Sequence, residues 1–473
     1  MSSPRVVNFS QDRCRPRRLL RQLVVTLLAL AMSGVRDVRA EDSTGPVSHP
    51  GYDILRSKAF LPPDFDQQTF EQLWKRWPAE ERAAAEKASP EERRRMTLTH
   101  YGIIPKPAAD KRPGLALGYL DDGQGRWVMT CLVCHGGKVA GRVIPGLPNT
   151  HYMLQTLTED VRATKLQLGK PLSHMDLGSL RMNLGGSPGT TNAVVFGLAL
   201  GSLRDKDMQV VLNGPRPKLI DHDLDVPPFW NVRKKKRLYC DAFAPKNHRV
   251  LMQFVLLPQT SRATLESWEG EFRSIQEWIE STEAPEYPWP VDRKLADAGR
   301  VVFETHCSRC HGRYGETETY PNRVVPLKTI GTDPVRFQAL SVEHRRWLKE
   351  GWLSRYGRDE VILEPKGYLA PPLDGVWASA PYFHNGAVPT LWHVLHPAER
   401  PHVWRRTEDG YDRERVGLEV TTFESVPAEA ETPRQRRRFF DTGVRGKSAG
   451  GHKFPDKLND DEKRAVLEYL KSL

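Results

Sequence analysis

Two copies of one pentapeptide pattern, Cys131-Leu132-Val133-Cys134-His135 and Cys307-Ser308-Arg309-Cys310-His311, stand far apart in a chain with only six cysteines. The spacing limits what the surrounding chain can do. Two thiols one helical turn apart add to the two vinyl groups of a haem, and the adjacent imidazole is delivered to the iron. The motifs therefore predict two covalently bound haem c groups, with thioethers at Cys131, Cys134, Cys307 and Cys310 and proximal ligands at His135 and His311. A zinc site or a thioredoxin-type redox pair would explain the CxxC spacing. Neither requires a histidine directly after both pairs.

The N-terminus indicates where such a protein is matured. Arg13, Arg15, Arg17, Arg18 and Arg21 precede an apolar run from Leu23 to Met32, followed by Val38-Arg39-Ala40. This order reads as a secretory signal peptide over residues 1–40, cleaved near Ala40, which predicts a periplasmic or secreted protein. The apolar run is shorter than the roughly 20 residues a membrane span requires, so no stable membrane anchor is expected. Residues 1–40 hold eight arginines against Asp12 and Asp37, so their removal lowers the formal charge from +11 to +5. Four haem propionates would bring it close to neutral. The basic balance is thus no argument for nucleic-acid binding. Of the five remaining cysteines, Cys240 alone has no role in a haem motif and reads as a buried thiol.

The chain is long enough for two cores. The Pro- and acid-rich stretch from Glu283 to Pro290 lies between the motifs, so residues 284–290 are the expected linker. The predicted fold is mainly α: two cytochrome c-like domains, residues 96–283 and 291–473, with the first enlarged by irregular insertions. Residues 41–95 read as an N-terminal accessory region with helical patterning. In the second domain, Leu295, Ala298, Val302 and Phe303 predict one face of a helix running into Cys307. Asn459 with Glu462 predicts a capping box opening a terminal helix whose stripe is Val466, Leu467 and Leu470. Gly299 would let these two helices approach closely. Before the first motif, Trp127 to Thr130 looks like a strand.

The sixth iron ligand decides what a haem can do. Every methionine lies at or before Met252, so His/Met ligation from within the second domain is excluded. His306, His344, His384, His393, His396, His402 and His452 remain, and His306 is tied beside Cys307 on the proximal side. His452, in the loop Ala449-Gly-Gly-His-Lys-Phe454 before the last helix, is the favoured distal ligand and predicts a bis-His, low-potential haem. In the first domain His151, His174, His222, His248, Met153, Met175, Met182, Met208 and Met252 all stay open as ligands.

The segment Pro381-Tyr-Phe-His-Asn-Gly-Ala-Val-Pro-Thr-Leu391, preceded by Leu373 to Ala380 and followed by Gly451-His452, resembles the bacterial dihaem peroxidase superfamily. It looks most like its dihaem rubber-oxygenase branch, whose second haem is similarly bis-His. The likeness is strongest over residues 291–473 and looser over Gly189 to Ala193 and Asp225 to Trp230. The superfamily's distal position on the second haem, a methionine in peroxidases, falls on His452. The resemblance implies a reactive first haem, open to peroxide or dioxygen, and a second haem that relays electrons. It also implies calcium between the domains, although no ligand set dense enough in carboxylates locates it.

Near the first haem, Phe229 and Trp230 are candidates for shielding a dioxygen site, Trp230 also for bridging the haems, and His248 for polarising bound oxygen. No acidic partner for peroxide chemistry stands out there. Lys234 to Arg237 reads as a solvated face, or as a partner of propionates or of an acidic redox protein. His384 or Asn385 reads as a structural or propionate contact, as do Asn322-Arg323 and Arg336. Three classes follow. An oxidoreductase with one reactive haem and one bis-His haem leads, its partners a redox protein or a small-molecule oxidant or substrate. A pure electron carrier with two six-coordinate haems is the alternative, and a haem-based sensor or assembly subunit comes third.

Overall fold

A computed structural model describes residues 49–107 and 115–473. The predicted signal peptide and Cys14 lie outside these residues. Helix accounts for 40 % and strand for 14 % of the structure, so helices dominate, but the strands form six small sheets rather than one layer. The described residues belong to one compact unit. None of their helices is long and apolar enough to cross a membrane.

Three main clusters of buried side chains organise the chain. The first gathers around strand β1 (Arg126–Met129), the central strand of a three-stranded antiparallel sheet that leads straight into Cys131. Trp127 is stacked on Phe70 at 4.3 Å and meets Phe65 and Tyr119. Residues 65–101, with the helices Gln67–Gln72, Ala79–Lys87 and Pro90–His100, therefore share a core with the first haem motif. Aromatic burial of this size holds that strand in place.

A second cluster lies where helix α1 (Pro50–Ser57) packs on helix α2 (Glu269–Ser281). A Cβ at Gly51 would meet Ser274 O at 2.0 Å, so the contact requires glycine. Trp278, Phe272, Ile275, Phe229 and Phe243 fill the cluster, joined by Leu340, Leu348, Trp352 and Leu353 from beyond the second motif. The chain after Cys307 thus supplies part of the core beside the first motif.

The third cluster is built on helix α3 (Arg293–His306) and helix α4 (Asp460–Lys471). The capping box opens α4 as the sequence predicts: Glu462 N donates to Asn459 Oδ1 and Asn459 N to Glu462 Oε2, both at 2.9 Å. Gly299 faces α4 so closely that a Cβ would sit 1.9 Å from Ala465 O. The buried face of α3 is Ala296, Gly299 and Phe303 with Val302 packed beside it, so the sequence places Val302 and Phe303 correctly and misplaces Leu295 and Ala298. Leu295 is 37 % exposed, and Ala298 also faces water. The close approach at Gly299 sets the face, and rotation about it turns Leu295 outward. Phe303, Val466, Leu467 and Leu470 each contribute roughly 1.5–3 kcal/mol by burial.

Residues 284–290 are extended and docked. Trp377 Nε1 donates to Pro285 O at 2.9 Å, Tyr287 meets Trp377 edge-on at 5.3 Å, and Trp289 stacks on Tyr411 at 5.0 Å. The hairpin Val403–Asp412 with Gly417–Phe423 and the segment after it carry Arg434, Arg437 and Arg438, which pair with Asp160, Glu159 and Glu81.

Candidate haem sites

At each motif the backbone coils so that cysteines and histidine are gathered locally. His135 N donates to Cys131 O at 3.0 Å, and Cys310 N and His311 N both donate to Cys307 O, at 3.0 and 3.1 Å. The four cysteines form no disulfide with one another.

The second motif has a complete frame. His311 Nδ1 donates to Pro371 O at 2.9 Å, which fixes the tautomer and leaves Nε2 with a free lone pair. Tyr314 braces the same loop, its hydroxyl donating to His311 O at 2.9 Å and accepting from Leu373 N at 2.7 Å. The His452 ring stands opposite, 6.2 Å from the His311 ring centre to centre. A metal–imidazole nitrogen bond is about 2 Å long and the ring centre lies about 1 Å beyond the nitrogen, so two imidazoles on opposite faces of one metal stand roughly 6 Å apart. The pair therefore suits an iron held from both sides.

His452 is held by its loop. It adopts φ +48°, and its N donates to Ile330 O at 2.7 Å. Gly451, at φ +77°, passes so close to Gly331 that a Cβ would meet its carbonyl carbon at 2.3 Å. Arg400 Nη1 donates to Ala449 O and Gly451 O, both at 2.7 Å. Phe383 and Phe454 flank the ring at 6.0 and 5.5 Å. Burial first, and the proximity of His311 second, push His452 down to about 3, so the imidazole is neutral and its lone pair available.

The first motif is framed differently. Gly146 N donates to His135 O at 2.7 Å and Gly146 O accepts from Phe229 N at 2.9 Å, so one glycine ties the motif to Phe229. Phe229 stacks on the His135 imidazole, ring centres 4.1 Å apart and planes within 23°. That places Phe229 against the face of the proximal imidazole rather than across an iron from it. The Pro227 carbonyl faces His135 without completing a hydrogen bond to Nδ1. Among the described residues, no second imidazole comes into ring contact with His135.

The remaining candidates are placed as follows. Trp230 points away from Phe229 into the third cluster, its Nε1 donating to Asp374 O at 2.7 Å. His248 is bound to Glu269, Nε2 to Oε2 2.5 Å, in a network with Arg249. Met182 is packed in the first cluster, and Met208 and Met252 in the second. His174 lies 3.8 Å from Asp64, and His151 contacts Glu408 O. His222 is buried with neither ring nitrogen hydrogen-bonded. His384 stacks near Tyr368 at 4.4 Å, while Asn385 Nδ2 donates to Gly446 O and Ser448 O. In the basic run, Lys234 pairs with Asp374 and Glu318, and Arg237 with Glu360. No cluster of three or more His, Cys, Asp or Glu side chains suited to a metal ion occurs among the described residues.

The prolines are what the motif reading passed over. Two of the chain's three Pro-Pro pairs lie downstream of the two motifs, in Val226-Pro227-Pro228-Phe229 and Ala370-Pro371-Pro372-Leu373. In each, the first proline turns its carbonyl toward a motif imidazole. This repeat of apolar-Pro-Pro-apolar is the signal that would have found them.

Residues 367–405, which include Pro371 and the Pro381–Leu391 segment, match a protein family described as RoxA-like, cytochrome c-like. Two relatives come from Sinorhizobium fredii. The chain is 25 % identical to the uncharacterized protein y4iM over 291 residues, 52 % of this chain and 64 % of that protein. It is 28 % identical to the uncharacterized protein y4iJ over 254 residues, 39 % of this chain and 41 % of that protein. The chain thus spans less than two thirds of either relative. The cytochrome c-like segment implies covalently bound haem c, and it relates this chain to the rubber-oxygenase-like c-type cytochromes.

Proposed function

We propose that this protein is an exported dihaem c-type cytochrome and an oxidoreductase. One haem at Cys131, Cys134 and His135 is reactive toward dioxygen or peroxide. The other, at Cys307, Cys310, His311 and His452, is a bis-His electron relay. The observation that supports the reading is the asymmetry of the two motifs: an imidazole faces His311 at 6.2 Å, whereas among the described residues no second imidazole comes into ring contact with His135. When bound, haem supplies the one-electron and oxygen chemistry, and the chain sets what each haem can do. Pro371 O holds the His311 tautomer, and Arg400 with Gly451 holds His452 on the opposite side. Phe383 and Phe454 flank the His452 ring and hold its orientation. Phe229 and Trp230, adjacent in sequence, pack toward His135 and into the core of the second motif respectively, a covalent and aromatic link between the sites. A redox protein or a small-molecule oxidant is the partner class. Residues 1–40 direct export to the periplasm or beyond.

Low-temperature EPR of the purified ferric protein, with and without cyanide, tests this. A high-spin signal that cyanide converts, beside a low-spin bis-His signal that it leaves alone, is expected. Two low-spin signals unchanged by cyanide, in both the oxidised and half-reduced protein, would instead make it an electron carrier.

A further inference from the structure

Arg336 is 2 % exposed, and none of its three guanidinium nitrogens has a hydrogen-bond partner. Five donors left unpaired in a protein interior are costly, and a buried guanidinium is retained where an anion meets it. The nearest acid, Asp241, is itself buried and stands 3.8 Å from Arg336 Nη1 and 3.5 Å from Arg345 Nη2. Neither Asp241 oxygen accepts a hydrogen bond. A structural Arg–Asp pair would close to a bidentate contact of about 2.8 Å. Arg345 is served by backbone carbonyls, its Nη1 donating to Leu340 O at 2.9 Å, so Arg336 is the unsatisfied member. One carboxylate between two guanidinium groups leaves a net positive charge in the interior.

The segment that carries Arg336 also contacts the frame of the second motif. The segment that carries Arg336 starts at Ile330, whose carbonyl accepts from His452 N at 2.7 Å. It then wraps on Tyr368, whose hydroxyl accepts from Phe337 N at 3.0 Å and donates to Asp333 O at 2.8 Å. Tyr368 lies on the strand Gly367–Leu369 that leads to Pro371, the acceptor of His311 Nδ1. Cys240, next to Asp241, accepts from Leu369 N at 2.7 Å. Arg336 is thus tied through one short segment to the distal imidazole and through Tyr368 to the proximal carbonyl.

We infer that Arg336 binds the carboxylate of a haem propionate at the edge of the His311–His452 slot, as the counter-ion that the Arg336–Asp241–Arg345 triad lacks. This rests on the bis-His reading of the second haem. The role is positioning and electrostatic. Thioether bonds hold the haem whether or not Arg336 is present, so its loss changes potential rather than occupancy. A fixed positive charge beside the propionate disfavours the ferric, more positive state of the iron. Removing it lowers the midpoint potential.

The test is an optical potentiometric titration of the full holoprotein at fixed pH for wild type, Arg336→Gln, Arg336→Lys and the exposed control Arg464→Gln. Arg336→Gln is expected to lower the midpoint of the low-spin haem, Arg336→Lys to lower it less, and Arg464→Gln to leave it in place, with two haems per chain throughout. An unchanged low-spin midpoint in Arg336→Gln, or a shift confined to the other haem, overturns the inference. Should Arg336→Gln not fold, resonance Raman of Arg336→Lys decides: a moved propionate-bending band supports the contact, and an unmoved band overturns it. A wild-type spectrum without a bis-His signal would defeat the reading of the second haem instead, and the Raman band would still report on Arg336.

Discussion

The two CxxCH motifs share a local backbone and differ in which ring meets the motif imidazole. At His311 the frame is closed: a proline carbonyl behind the imidazole, a second imidazole in front, and a loop pinned by Arg400 and by the Gly451–Gly331 contact. At His135 a phenyl ring lies against the imidazole, and Nδ1 completes no hydrogen bond. The comparison teaches that the pentapeptide fixes attachment, while the far chain decides reactivity.

The sharpest way to break the comparison is at His452. Axial ligand identity moves haem potential within a range of roughly 0.8 V. His452→Met should raise the second haem's midpoint by a large part of a volt. His452→Ala should turn its low-spin spectrum high-spin and make it bind cyanide, so that the two sites become alike. Redox titration and EPR measure both. An unchanged spectrum in His452→Ala would remove His452 from the iron.

A second difference is mechanical. The second site sits on the packed helices α3 and α4, and Gly299 lies against Ala465 where they meet. A methyl group there would overlap Ala465 O, which neither helix backbone can avoid without moving, so Gly299→Ala should cost about 3 kcal/mol. Thermal unfolding of the holoprotein would show it as a lower midpoint. The same substitution at Gly270, where a Cβ meets nothing within 4 Å, should not destabilise. Equal effects at the two positions would mean that the helix crossing carries no strain at Gly299.

The sequence made the locally encoded parts of this legible. The two pentapeptides, the strand before Cys131 and the capping box of α4 are all read within a few residues. So was the need for glycine at position 299, because an amphipathic helix with a glycine on its inner side signals a close neighbour. The exact face of α3 was not, since Leu295 is turned outward by a contact with Ala465 that lies far along the chain. Nothing local in residues 339–353 announces that Leu340, Trp352 and Leu353 complete a core beside the first motif. Arg336 reads from the sequence as a structural or propionate contact, but its unpaired guanidinium appears only once the fold brings Asp241 alongside. Long-range packing decides these positions, and a one-residue rotation of a helix leaves its pattern of apolar spacing almost unchanged.

The smallest expected effect concerns the link between the sites. Phe229 and Trp230 are neighbours in the chain, yet one lies on His135 and the other in the core of the second motif. Trp230→Phe preserves an aromatic ring in that core and removes the Nε1–H donated to Asp374 O. The net value of one such neutral hydrogen bond is about 1 kcal/mol. Chemical denaturation should therefore show a loss of that size, with both haem midpoints in place, because no charge is altered. Electron exchange between the haems, followed after rapid partial reduction, should slow if the indole is the better bridge. Unchanged exchange would confine Trp230 to packing, and the asymmetry between the sites would then rest on the ligands of His135 and His311 alone.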